Sequence, residues 1–332
     1  MMVKNVKKYD VVILTHAPSD EFLISLNKFF EQEIKPQSII VVNTDKEIFL
    51  KNITNCEELK KCINNKDKNN IKLYKIDIEK KDFDHGWSRN IAIKYIKSDY
   101  VLFMTDDAIP YDRELSKNMI RAFDKYSDND YKVAVVYARQ IAKKGSKIVE
   151  KYVREYNYPD YDIVKEKKKE SELGIKNYFC SNVCAMYDVD IFRKNDGFEE
   201  NIILNEDMYY AYKVINDGYR VVYSADAKVY HSHDYSFREQ FSRNFDIGVS
   251  QYDKKEIFDK LPSTNEGFKL LKYVMLKLLC RLRFISMCSF VIECFYRYRG
   301  FKLGRKYKTL TIDKCIEYSS NKDYFTKGKY KK

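Results

Sequence analysis

Within the first 110 residues, short apolar runs recur between segments of helical period, and each run stops at Thr, His, Asn or Asp. The runs are Tyr9–Thr15, Ser38–Asn43, residues 71–76 and Tyr100–Thr105, all rich in Val, Ile or Leu. Runs of this length that are apolar throughout suit strands buried on both faces, and helical segments between them imply a mostly parallel sheet covered by helices. After the turn residues Pro18, Ser19 and Asp20 a helix is expected through Phe30, and another over residues 88–96. Open sheets of this kind bind ligands at the carboxyl ends of their strands. That rule selects Thr15-His16, Asn43-Thr44-Asp45 and Thr105-Asp106-Asp107.

With 332 residues the chain can form one large α/β domain, or a domain of about 250 residues with an appended piece. Its 29 Tyr and 20 Phe within 45% hydrophobic content exclude a disordered chain. A net charge of +12 biases it toward phosphorylated substrates, polyanions or anionic membranes without choosing among them. None of the eight cysteines forms a CxxC pair; Cys180 and Cys184 stand one residue too far apart, so reduced thiols and a cytoplasmic setting are expected. The first ten residues lack the apolar core of a secretory signal. The longest apolar stretch, 282–296, is too short to span a bilayer.

Farther along, 131–137 reads as another strand, 51–70 as a polar excursion, and 160–172 as an exposed, charge-dense segment beside an acceptor site. Residues 268–298 interleave Leu, Met, Phe and Ile with Lys and Arg, the pattern of one or two basic amphipathic helices.

Four histidines, at 16, 85, 231 and 233, all fall at strand ends or polar turns. Asp106-Asp107 follows an apolar strand, where adjacent carboxylates repel unless a cation sits between them and a substrate. Glu206-Asp207 opens a helical stretch over 208–216, which suits either a helix cap or a catalytic carboxylate. In Val229-Tyr-His231-Ser-His233, alternation along an extended chain points both imidazoles to one face, able to complete a metal site begun at Asp107. Arg89 and Asn90 open a helix after Gly86, where backbone amides and a guanidinium can receive phosphate. Trp87, Tyr156, Asn157 and Tyr158 are suited either to stacking on a base or sugar or to plain packing.

An ordered set of segments carries a resemblance. It comprises Phe83-Asp-His-Gly-Trp-Ser-Arg-Asn90, Phe103-Met-Thr-Asp-Asp-Ala-Ile-Pro110, Arg154-Glu-Tyr-Asn-Tyr-Pro159 and Phe179-Cys-Ser-Asn-Val-Cys184. Gly197-Phe198, Glu206-Asp207, His231-Ser-His-Asp-Tyr235, Gln240-Phe-Ser-Arg-Asn-Phe-Asp-Ile-Gly248 and Arg299-Gly-Phe-Lys-Leu-Gly-Arg305 continue it. The sequence resembles the rhamnosyltransferase-like branch of family 2 glycosyltransferases, which have the GT-A fold. The resemblance implies a catalytic domain over 1–255, its nucleotide-binding half about 1–110 and its acceptor half about 111–255, followed by a basic helical extension over 256–332.

Carried over position by position, the resemblance implies that Asp107 is the second acid of the DxD element and a metal ligand, with Thr105 replacing the first acid and Asp106 beside it. Asp207 becomes the general base with Glu206 as neighbour, and His231 or His233 the histidine ligand. Thr15, Asn43, Arg89, Asn90, Asp106 and Asp107 become the nucleotide-sugar contacts. The implied cofactor is Mn²⁺ or Mg²⁺. The implied reaction is inverting transfer of a sugar, first L-rhamnose from dTDP-L-rhamnose or else another nucleoside-diphosphate sugar, to a glycan or lipid-linked glycan of the cell surface. Contact with a membrane through 268–300 and self-association are further expectations. A non-catalytic basic protein holding nucleic acid or a membrane is the competing class, but Lys and Arg are dispersed among Asp and Glu and no base-stacking platform stands out, so nucleic acid is not expected.

Overall fold

The computed structural model describes residues 7–16, 18–53, 71–261 and 264–326. Its strands form one sheet in the order β3-β2-β1-β4-β8-β6-β9-β5, with β7 also paired to β9. These are β1 (Tyr9–Thr15), β2 (Ser38–Asn43), β3 (Lys72–Asp77), β4 (Tyr100–Thr105), β5 (Ile109–Pro110), β6 (Val133–Ile141), β7 (Ile163–Lys165), β8 (Cys184–Asp188) and β9 (Arg220–Tyr230). The helices that bear on the site are α1 (Asp20–Phe30), α2 (Leu115–Tyr126), α3 (Ile148–Asn157), α4 (Glu206–Asn216), α5 (Phe237–Asp253), α6 (Thr264–Leu279), α7 (Phe284–Gly304), α8 (Ile312–Tyr318) and α9 (Lys322–Thr326).

The parallel arrangement expected from the apolar runs holds for β1 to β4. Beyond β4 the sheet is mixed: β8 lies antiparallel to both β4 and β6, while β6 and β9 run parallel. Strands β1, β2 and β4 occupy the expected residues, β3 starts one residue later, and the fifth apolar run forms β6, shifted to Val133–Ile141. Residues 88–96 form a short helix, Trp87–Asn90, and then a 3₁₀ turn, Ile93–Tyr95, rather than one helix.

Alternation along β1 sends Tyr9, Val11 and Ile13 to one face and Val12 and Leu14 to the other, and all are buried. The first set packs with Phe22, Leu26 and Phe29 of α1 and Leu115 and Met119 of α2. The second packs with Phe192, Tyr210 and Val214. Each such large apolar side chain contributes about 1.5–3 kcal/mol on burial, so the two covered faces account for most of the driving force. The sheet is thereby fixed with its carboxyl edge free to carry polar residues.

The segment 160–172, expected as an exposed loop or helix near an acceptor site, is helical over Lys167–Lys169 and Glu170–Leu173 with no buried residue there, but its first part is built otherwise. Residues 163–165 add to the sheet as β7, and Glu166 is buried against the Arg220 guanidinium, Nε to Oε2 at 2.8 Å. Most of the polar stretch 51–70 lies outside the described residues, as do Cys56 and Cys62; the six described cysteines are free thiols.

The basic amphipathic pattern forms two helices, α6 and α7. Helix α6 packs on α3 through Tyr152, Val153, Val274 and Leu278, with Phe290 of α7 completing the cluster. Helix α7 lies against α5 at backbone distance. A Cβ on Gly304 would stand 2.0 Å from the carbonyl oxygen of Phe245, and one on Gly300 would stand 2.2 Å from that of Phe241. These glycines, and Gly248 facing them, are what the motif residues 240–248 and 299–305 share. A third core of Phe245, Val249, Tyr307, Cys315, Tyr324 and Phe325 seats α8 and α9 on α5. No described helix is long and apolar enough to cross a membrane.

Candidate active site

The carboxyl ends of β1, β2 and β4 open into a cavity of about 970 Å³. Its walls include Thr15, His16, Thr44, Arg89, Asp106, Asp107, Asn182, Glu206, Asp207, His231, His233 and Arg243. The strand-end rule thus brings most of the expected residues to one place.

Asp107 stands on the turn after β4, and His231 and His233 follow β9. The Nε2 atoms of His231 and His233 lie 3.3 and 3.0 Å from Asp107 Oδ2. One donor atom from each residue fits within a group of 4.8 Å span, the compactness a single cation needs. Burial pushes the His231 pKa down to about 4, so its ring is neutral near pH 7. Its Nδ1–H donates to Gln140 Oε1 at 2.8 Å; the same oxygen also accepts from Arg154, and the Gln140 amide donates to Ser181 Oγ at 2.9 Å, which fixes the orientation of the amide. With Nδ1 protonated, the Nε2 lone pair faces a carboxylate oxygen. Two facing lone pairs repel, and a divalent cation between them turns the arrangement into a ligand set.

Asp106 turns the other way. Thr15 at the end of β1 donates its hydroxyl to Asp106 Oδ2 at 2.7 Å, and burial raises the carboxyl pKa despite that bond. His16 and Thr44 meet beside it, Nδ1 to Oγ1 at 2.6 Å.

Glu206 and Asp207 open α4, where the macrodipole favours negative charge. Their environments separate them. Arg89 Nη1 donates to Glu206 Oε1 at 3.0 Å, Asn182 donates to the same oxygen at 3.0 Å, and all three side chains are buried. Burial would raise the Glu206 pKa, but the Arg89 charge outweighs it, so Glu206 stays ionised and occupied. Asp207 accepts only backbone amides in this network, from Asn182 at 2.9 Å and Met208 at 2.7 Å. Burial first, and the neighbouring Glu206 charge second, push its pKa up to about 7. A carboxylate poised near neutrality is suited to accept a proton and release it again. Two buried polar atoms of the lining residues, Arg89 Nε and the Thr105 hydroxyl, have no hydrogen-bond partner within the protein.

Two of the expected nucleotide contacts are not on the cavity wall. Asn43 is fully buried at the end of β2, where its amide donates to Asp77 Oδ1 at 3.0 Å. Asn90 clasps the 198–200 segment, donating to the Phe198 carbonyl at 2.8 Å and accepting from the Phe198 amide at 3.0 Å. Both are strand- or helix-end amides already taken up within the framework, Asn43 by Asp77 and Asn90 by Phe198 and Glu200. Nor is Trp87 part of the wall. Tyr158 is buried against Phe179 and Tyr223, and Tyr156 packs on Tyr273 of α6, so this pair packs the framework rather than the cavity.

Several wall residues carried weaker signals. Asn182 and Arg243 lie inside motif segments whose individual roles could not be separated by reading alone. Ser320, Asn321, Lys322 and Asp323 carried none, because a long-range clamp brings them in. Asp246 of α5 is fully buried and accepts from Ser319 Oγ at 2.6 Å, from the Ser320 amide at 2.9 Å and from the Ser320 hydroxyl. The C-terminal segment is thereby held as one wall of the cavity. Asn205, which precedes Glu206 with φ 71°, donates to Ser250 Oγ of the same helix at 2.7 Å. Helix α5 thus braces both the start of α4 and the C-terminal wall.

The model of the glycosyl transferase family 2 domain matches residues 10–195, more than half of the chain. The chain belongs to glycosyl transferase family 2. It is a glycosyltransferase whose relatives include the O-antigen chain rhamnosyltransferase RfbN of Salmonella typhimurium, 33% identical over 97% of this chain and 98% of the relative. The O-antigen chain rhamnosyltransferase WbaN of Salmonella anatum is 31% identical over 91% of this chain and 90% of its own. Among solved structures, the mannosyltransferase PcManGT of Pyrobaculum calidifontis, in complex with GDP-Man and Mn²⁺, aligns with a TM-score of 0.58 at 12% identity, covering 90% of this chain and 87% of that one. At that identity the likeness concerns the fold alone, and it agrees with the GT-A architecture of a mixed sheet flanked by helices.

Proposed function

We propose that this family 2 glycosyltransferase moves L-rhamnose from dTDP-L-rhamnose to a hydroxyl of a growing cell-surface polysaccharide, with inversion at the anomeric carbon. The observation that carries the chemistry is the pairing, in one cavity, of the Asp107–His231–His233 cluster with a single proton-accepting carboxylate, Asp207. The rhamnosyl donor and the polysaccharide rest on the two Salmonella relatives.

A divalent cation held by Asp107, His231 and His233 would offset the charge that builds on the departing diphosphate. Two imidazole donors with one carboxylate suit Mn²⁺ better than Mg²⁺, which prefers oxygen. Asp207 takes the proton of the acceptor hydroxyl as the oxygen forms its bond to the anomeric carbon. The bond from that carbon to the diphosphate breaks, and its electron pair leaves with the diphosphate oxygen. Glu206 does not serve as a nucleophile, because Arg89 and Asn182 already occupy it. One displacement without a covalent intermediate inverts the centre.

We assign the donor to the wall made by Thr15, His16, Thr44 and Asp106, and the acceptor to that made by Asn205, Arg243 and 320–323 beside Asp207. The test is a panel of nucleoside-diphosphate sugars, each with Mn²⁺ and with Mg²⁺, scored by thermal protection and by release of nucleoside diphosphate. Selective protection by dTDP-L-rhamnose is expected. Preference for another sugar overturns the donor assignment only, and no protection by any sugar nucleotide overturns the reading.

A further inference from the structure

The hairpin of α6 and α7 turns outward a surface that no other described residue covers. On α6, Phe268, Leu276 and Leu279 recur at helical spacing and are exposed. On α7, Ile285, Ile292 and Phe295 do the same, with Ile285 89% exposed. The tip between the helices carries Leu282, 71% exposed, between Arg281 and Arg283. Leu282 has φ 53°, a left-handed conformation that glycine or asparagine adopts more easily. An exposed leucine kept at a strained turn points to a use for its side chain.

The charge around this surface selects the partner. Residues 268–300 contain seven basic side chains and one acidic one, Glu293, a net charge of +6. Glu293 is itself engaged by Arg297 and Gln240. A two-fold contact with a second copy would set this positive surface against itself. A bilayer rich in anionic headgroups accepts both components, the apolar side chains entering the acyl boundary and the Lys and Arg staying at headgroup level.

We propose that the α6–α7 hairpin is a membrane-seating element that inserts the tip at Leu282 and Ile285 into the surface of an anionic bilayer without crossing it. Because α7 is joined at backbone distance to α5, and α5 carries Arg243 and the Asp246 clamp, the element is rigidly coupled to the cavity. The seat stands independently of which sugar the site transfers.

The experiment uses the full chain with sedimented vesicles of phosphatidylcholine alone or of phosphatidylcholine and phosphatidylglycerol at 3:1. The wild type is expected to sediment with the anionic vesicles and not with the neutral ones. The double variant Leu282→Glu with Ile285→Glu is expected to lose about tenfold or more in vesicle affinity, since it withdraws two apolar side chains from the lipid. The variant Arg281→Gln with Arg283→Gln is expected to weaken binding in proportion to the anionic lipid fraction. Both sites are exposed, so unchanged thermal unfolding and unchanged sugar-nucleotide binding should accompany the loss. Absence of wild-type binding to anionic vesicles overturns the proposal. So does equal binding by the tip variant, or a dimer in light scattering that the tip variant converts to monomer.

Discussion

His231 donates its Nδ1–H to Gln140 across 2.8 Å and so turns a bare Nε2 toward Asp107. Gln140 acts on the cation site by fixing one tautomer of one ligand. Replacing it by Leu is expected to lower Mn²⁺ affinity about 10- to 100-fold, measured by calorimetry, while Gln140→Glu, which keeps the acceptor, retains most of it. Unchanged affinity in Gln140→Leu would contradict the ligand assignment of His231.

The pH dependence of transfer follows from Asp207. Its active form is the carboxylate, and its pKa in the fold is about 7. Below that value the rate constant should fall about tenfold per pH unit, and above it the rate should level off. Glu206→Gln removes the like charge but leaves the burial, so the midpoint should move to lower pH. A profile measured over pH 5 to 9 on both proteins decides this, and a midpoint that stays put in the variant contradicts the coupling.

The clamp at Asp246 predicts a split between the two substrates. Burial raises its pKa to about 6 in spite of the Ser319 and Ser320 bonds, so at neutral pH it is the ionised acceptor of those donors. Asp246→Ala should release residues 320–323 from the cavity. Acceptor KM is expected to rise about tenfold, the effect of about 1.4 kcal/mol, with sugar-nucleotide affinity within twofold of wild type. Loss of both together would mean that the segment only supports the fold.

Gly304→Leu tests the joint between α5 and α7. A Cβ there meets the Phe245 carbonyl oxygen at 2.0 Å and Gly248 Cα at 2.9 Å, both backbone atoms that cannot swing aside. We expect a loss of about 3 kcal/mol in unfolding free energy, read from denaturant titration. Gly267, whose Cβ would meet nothing within 4 Å, serves as the control and should tolerate Ala.

How much of this could be read from residue order differs by type of contact. The ends of β1, β2 and β4 were legible because burial on both faces leaves uninterrupted apolar runs, and the polar residue that stops each run marks the ligand edge. The HxH spacing was legible because alternation is a backbone property, and both histidines do reach Asp107. Asn43 and Asn90 stand where the edge rule points, yet the backbone and Asp77 take up their amides, which no local pattern shows. The antiparallel insertion of β8 between β4 and β6 also escaped, since register between partners 48 to 88 residues apart in the chain leaves no local periodicity. For the same reason the wall at 320–323 left no local signal, since it hangs on Asp246, one of three acids in α5. The segment 160–172 looked solvated by its charge, but Arg220 pairs with Glu166 and lets the chain join the sheet.

The central claim is that Asp207 is the base of a metal-dependent sugar transfer. The most direct measurement compares wild type and Asp207→Asn in the same Mn²⁺-containing buffer at pH 8, following both sugar-nucleotide binding by calorimetry and transfer by release of nucleoside diphosphate in the presence of acceptor. Removal of a positioned base is expected to cost about 10²–10⁴ in turnover, with binding of the sugar nucleotide unchanged. Turnover in Asp207→Asn equal to that of the wild type would contradict the account.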